Sequence, residues 1–188
     1  MKRFLTLFLF VCIGISLCSC SGNTATGPSD NNESKTANDE TVETAFDLEE
    51  YKALVSACRT DINAASIIVA NVGSYENNYW KNLGKLSDTM VESAFEWLAK
   101  NSDETQETVD TAHEDIRQQY KNIILIELDG KEAEEIDSAF REMYDAYSSM
   151  YSLVISPSGS REDFAKNLSD YIGAISDSNE DLSLFLDE

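Results

Sequence analysis

From Phe46 onward, apolar side chains recur along this chain at helical spacing. Leu48, Tyr51, Val55, Cys58, Ile62, Ala65, Val69 and Val72 are spaced 3, 4, 3, 4, 3, 4, 3. That heptad-type seam predicts one long helix with a single buried stripe. Gly73-Ser74 predicts a kink, after which Tyr79 and Leu83 resume the seam. Residues 84–88 (GKLSD) read as a turn, with a helix restarting near Ser87 or Asp88. Its apolar face holds Met90, Val91, Ala94, Phe95, Trp97 and Leu98. Asn101 and Glu104 fit a capping box for the following helix, which buries Val109, Ala112, Ile116, Tyr120 and Ile123. That helix is expected to run on through IILIEL, where continuity of period outweighs a strand-like composition.

Asp129-Gly130 is a stop signal. Beyond it Ile136, Phe140, Met143, Tyr147, Met150 and Val154 form a fourth apolar face that ends before Pro157. Phe164, Leu168, Ile172 and Ile175 form a fifth. Its spacing extends to Leu182 and Leu186, with fraying expected across the polar residues 176–181. Short connections imply antiparallel neighbours, so residues 45–188 read as an all-α, up-and-down antiparallel helical bundle of four to five helices. Residues 21–44 carry no aromatic side chain and are dominated by Ser, Thr, Asn, Asp, Glu and Gly. They cannot offset their ordering entropy by burial and read as a disordered tether spanning roughly 27 Å.

The first twenty residues follow a different pattern. Lys2 and Arg3 precede an apolar run at residues 4–17, a signal-peptide length and short of the roughly 20 residues a membrane span needs. The run ends in Leu17-Cys18-Ser19-Cys20. This resembles the lipobox of bacterial lipoproteins, with Leu at −3, a small residue at −1 and Cys at +1. The resemblance covers residues 1–20 only. It implies removal of residues 1–19 as a signal peptide and lipidation of Cys20, which then heads a linker at residues 20–44. It further implies a lipid-anchored protein on the extracytoplasmic face of the cell membrane, with the outer membrane open in a two-membrane host because Ser21 is not Asp. Cys58 is then the only thiol left free in the chain.

Charge narrows the partners. The chain carries 14 Lys+Arg against 35 Asp+Glu, a formal net charge of −21. The signal contributes +2, residues 21–44 contribute −4, and residues 45–188 keep −19. Such a surface excludes nucleic acid as an expected partner, since phosphate backbones need a basic footprint. Membrane association is expected through the lipid and not through charge.

Candidate chemistry is sparse. His113 is the only histidine, and Arg117 stands where a second zinc-ligating histidine would complete HExxH. It is expected at the edge of an apolar face without a catalytic role. Cys58 lies in the long seam, where a buried thiol is inert. Asp103, Glu107, Asp110 and Glu114 form a carboxylate stripe, ordinarily a solvated face. Asp177, Asn179, Asp181 and Glu188 match positions 1, 3, 5 and 12 of a calcium loop, but Leu182 occupies the position that needs Gly, leaving them weak metal candidates. Tyr144, Tyr147 and Tyr151, together with Tyr79 and Trp80, read either as core aromatics or as partner-binding edges.

No catalytic group, resident metal or cofactor is expected. The expectation is a protein-interaction module on a lipid anchor, with a small-ligand or cation-binding bundle as the alternative. The architecture also looks similar to small helical prophage lipoproteins that exclude superinfecting phages, an analogy that no motif in this chain carries.

Overall fold

The computed structural model describes residues 46–186, which fall within one compact unit, Glu43–Glu188. The residues of the expected signal peptide (1–19), Cys20 with the expected linker (20–44), and Glu188 lie outside the described residues. Among the described residues there are five helices and no strand: α1 (Leu48–Leu83), α2 (Met90–Ser102), α3 (Gln106–Ile123), α4 (Lys131–Ile155) and α5 (Arg161–Leu186).

α1 starts where Asp47 accepts a 2.8 Å hydrogen bond from the amide of Glu50, with Glu49 and Glu50 complementing the helix dipole. It ends where Gly84 turns left-handed (φ 70°) and its N–H bonds back to the carbonyl of Trp80. Between these caps the helix runs without a break through Gly73-Ser74. Gly73 serves packing. A Cβ there would lie 2.9 Å from Cγ2 of Val154 and 3.0 Å from the methyls of Leu168, so hydrogen at this position lets α4 and α5 close onto α1.

Interhelical contacts fix the directions. Lys52 pairs with Glu132 at 2.5 Å and the Tyr51 hydroxyl donates to Asp137 at 3.5 Å, bringing the first turns of α1 and α4 together. Those two helices are therefore parallel. Asn179 accepts from Arg59 Nε (2.8 Å) and Asn63 (2.7 Å), while Arg161 reaches Asn77 (3.2 Å), so α5 runs antiparallel to α1. Tyr75 stacks on Trp97 of α2, and Gln119 of α3 donates to Asp61. Hence α2 and α3 both descend along α1, in line, as one interrupted leg. The result is a four-legged up-and-down bundle whose second leg is broken.

The break differs from expectation. Asn101 and Ser102 still belong to α2, which stops at Asp103 in the left-handed region (φ 61°). The capping box is formed by Thr105 and Thr108, not by Asn101 and Glu104. α3 then ends at Ile123, so IILIEL leaves the helix and residues 126–129 form an irregular connection. Its side chains still contribute: Ile124, Ile126 and Leu128 pack against the core while Leu125 faces solvent. In α5 the expected fraying across residues 176–181 is absent. Ser178 and Leu182 are buried there, and Asn179 is gripped by two side chains of α1.

The core runs along α1. Tyr51, Val55, Cys58, Ile62, Ala65, Val69 and Val72 are buried as the seam predicts, against Ile136, Phe140, Met143, Tyr147, Met150 and Val154 of α4 and Phe164, Leu168, Ile175 and Leu182 of α5. After Val72 the buried positions are Gly73, Glu76 and Trp80, whereas Tyr79 is half-exposed and Leu83 exposed. Full burial of one such apolar side chain contributes about 1.5–3 kcal/mol.

Two glycines separate packing from propensity. Gly73→Ala is expected to destabilise the protein by about 1–3 kcal/mol through overpacking. Gly173→Ala has nothing within 4 Å of the added methyl and is expected to stabilise by about 0.5–1 kcal/mol through helix propensity. Urea unfolding followed by circular dichroism measures both, and the opposite signs are the expected result.

Candidate functional site

The fourth helix brings Tyr144, Tyr147 and Tyr151 to one face, against α1 and α3. Tyr147 is completely buried and Tyr144 nearly so, while Tyr151 is half-buried. The rings are organised as flat stacks: Tyr120 on Tyr144 at 3.6 Å and 6°, and His113 on Tyr151 at 3.7 Å and 5°. His113 also tilts against Tyr147, and Tyr120 against Phe140. The seam between α3 and α4 is thus aromatic along its length. As it stands, Tyr144 and Tyr147 present almost no surface to a partner, which leaves Tyr151 as the accessible member of the three.

Polar atoms in this seam are unevenly satisfied. The Tyr151 hydroxyl donates to Asp110 at 2.7 Å, and burial together with that carboxylate pushes its phenol above the ordinary range. The Tyr147 hydroxyl is buried with no hydrogen-bond partner among the described residues, and burial pushes its phenol up as well. His113 is held below its usual value by burial and by Arg117, and its Nδ1 has no partner. It is therefore neutral at pH 7. Cys58 is fully buried and its thiol is pushed up to about 12, foremost by burial and further by Asp61, so it carries no thiolate to react.

The carboxylate stripe separates into unrelated roles. Asp103 ends α2, Asp110 receives the Tyr151 hydroxyl, and Glu114 is held down to about 2 by hydrogen bonds from Arg117 and Gln118. The calcium-like residues are also parted. Because α5 is continuous, Asn179 faces α1, while Asp177 and Asp181 share the other side with Glu142 and Asp145 of α4. These four carboxylates line a shallow open groove of about 390 Å³. No group of three or more potential ligands among the described residues is arranged to hold a metal ion.

The far end of α1 has a different character. Tyr79, Tyr75 and Trp97 form a ladder of rings, 6.2 Å and 5.1 Å between successive centroids. Hydrogen bonds with Thr89 and Ser93 of the second leg hold the Tyr79 phenol below its ordinary value. Trp80 points the other way, buried against Phe164 at 5.9 Å. Beside the ladder, Leu83 and Leu86 are 47% and 42% exposed. Residues 77–87 contain Lys81 and Lys85, both exposed, and no Asp or Glu. In so acidic a chain this is a locally cationic, apolar tip. Sequence reading found Tyr75 and Tyr79 but grouped them with Trp80, which points away, and missed Trp97, Leu83 and Leu86 as their neighbours. The carboxylate-free run was the available signal.

No family model, curated protein or solved structure matches this chain.

Tyr151→Phe removes a hydrogen bond to a carboxylate and is expected to cost about 1–2 kcal/mol. Asn179→Ala removes the acceptor shared by Arg59 and Asn63 and is expected to cost a similar amount, about 1–2 kcal/mol. Thermal melts at pH 7 read both. Under native conditions the Cys58 peptide should stay unlabelled by a thiol reagent and become labelled in denaturant, as mass spectrometry can follow.

Proposed function

We propose that this chain is a lipid-anchored extracytoplasmic protein that binds a protein partner through the tip formed by the α1–α2 turn. The observation that carries this reading is the pair of exposed apolar side chains Leu83 and Leu86, with half-exposed Tyr79 beside them and Lys81 and Lys85 flanking, in a turn whose one carboxylate is Asp88. Exposed aromatic and apolar side chains with a charged rim are the usual make-up of an interface centre and its edge. The lysines suit a partner whose own apolar pocket is rimmed by acidic groups, while the carboxylates elsewhere repel the same partner.

Position supports the reading too. The chain joins the bundle at the first turn of α1, and the tip lies at the last turn, 36 residues on. At 1.5 Å per residue that is about 54 Å of helix. An anchor attached before residue 46 therefore leaves the tip at the opposite end of the bundle. The lipobox-like Leu17-Cys18-Ser19-Cys20 is the basis for the anchor.

Cys20→Ser is expected to move the protein from the membrane fraction to the soluble one, and mass spectrometry of the wild type should find a lipid on the Cys20 thiol. A photo-crosslinking residue at Leu86 in cells should trap one discrete partner, with a probe at Leu184, another exposed apolar position, as the control. Equal products from the two positions would end the tip reading. A soluble wild type would end the anchor reading and leave the tip untouched.

A further inference from the structure

Glu76 occupies the centre of the α1 core face, one turn past Gly73, and is completely buried. Neither carboxyl oxygen has a hydrogen-bond partner. A bare carboxylate in such a place costs far more than its neutral acid, so the group keeps its proton.

The surroundings explain why no counter-charge is available. Gly73 meets Val154 near the end of α4, so beyond that level the bundle has three legs: α1, α2 and the start of α5. On α1 the flanking titratable groups are Tyr75 and Tyr79, stacked toward α2. On α2, Glu92, Glu96 and Lys100 are all exposed. On α5, Arg161 is engaged by Asn77 and Glu162, Asp163 by Ser160, and Lys166 by Asp170. The last turn of α4 and residues 156–160 carry no ionisable side chain. Burial is accordingly the sole cause acting on Glu76, and it raises the carboxyl to about 8.

α2 is the shortest of the five helices among the described residues. It is 13 residues long, rests chiefly on α1, and its N-cap residue Thr89 makes no side-chain capping bond. Left-handed residues stand on both sides of it, Gly84 (φ 70°) and Asp103 (φ 61°). Its hold on α1 consists of Met90, Ala94, Phe95 and Leu98, the Trp97–Tyr75 stack, and the bonds of Tyr79 to Thr89 and Ser93.

We infer that α2 is a hinged flap whose closure over the α1–α5 end is linked to a proton on Glu76: the neutral acid is sealed in, and ionisation accompanies opening. Closed, the group titrates near 8; opened to water, it returns to the ordinary 4.5. Between those values the closed form holds a proton that the open form lacks. Each pH unit in that window therefore favours opening about tenfold, and the effect levels off above the closed-state value.

Hydrogen exchange of the protein as isolated from cells in detergent, with intrinsic rates removed, tests the inference from pH 5.5 to 9.5. The α2 amides should be less protected than those of α4 at every pH. Their protection should fall about tenfold per unit up to pH about 8 and then flatten. In Glu76→Gln the α2 amides should lose that pH dependence. Equal protection of α2 and α4 would overturn the flap. A flat wild-type profile, or a slope retained in Glu76→Gln, would overturn the link to Glu76. Should the variant fail to fold, the wild-type plateau decides alone, because a slope continuing to pH 9.5 assigns the proton to another group.

Discussion

One 36-residue helix packs against each of the other four, and the line of side chains along α1 is what ties α2 and α3 to the pair formed by α4 and α5. α4 and α5 also hold each other, but α2 is attached chiefly through α1, and α3 meets α1 over a longer seam than it meets α4. At Gly73 the approach of α4 and α5 to α1 leaves no room for a Cβ. Below it four legs enclose a well-filled interior, and above it three legs enclose Glu76. Interiors packed to crystal-like density do not absorb an added methyl without displacement, which is why a residue with no side chain holds so central a place.

Much of this was legible in the sequence, because amphipathic helices advertise their buried faces. The α1 seam is buried as read from Tyr51 to Val72 and the apolar face of α4 at each predicted position, whereas in α5 the predicted Ile172 is 41% exposed. The reading slips after Val72 for two physical reasons. A straight helix has 3.6 residues per turn and drifts from a strict heptad; the buried steps there run 3, 4, 4 from Val69 to Trp80, an eleven-residue spacing. The next position is also a glutamate, which a hydrophobic pattern passes over, so Tyr79 was credited with the place that Glu76 and Trp80 hold.

The boundaries were less legible. Asn101 and Thr105 are both competent capping residues, and nothing local to the sequence distinguishes the last turn of α2 from the cap of α3. IILIEL is apolar whether helical or not; beyond Ile123 it packs in alternation, Ile124, Ile126 and Leu128 inward and Leu125 and Glu127 outward, so the helical period was the wrong one to extend. At the α5 end the polar composition suggested loss of structure, but Asn179 finds Arg59 and Asn63 more than a hundred residues away. Of the candidate site residues, sequence placed the tyrosines of α4 on one face but could not tell a lining of α3 from an open edge. That distinction rests on which helix covers them.

The parallel course of α1 and α4 and the continuity of α1 have a mechanical consequence. A pull between Phe46, where the bundle begins, and a partner held at the α1–α2 turn would run along the axis of one unbroken helix. Its load would be borne by a ladder of backbone hydrogen bonds in series with the neighbouring legs, which would slide against α1 in shear. No loop lies on that line of force. Within residues 46–186 the bundle thus has the geometry of a strut, running from the end at Phe46 to the end that carries Leu83 and Leu86.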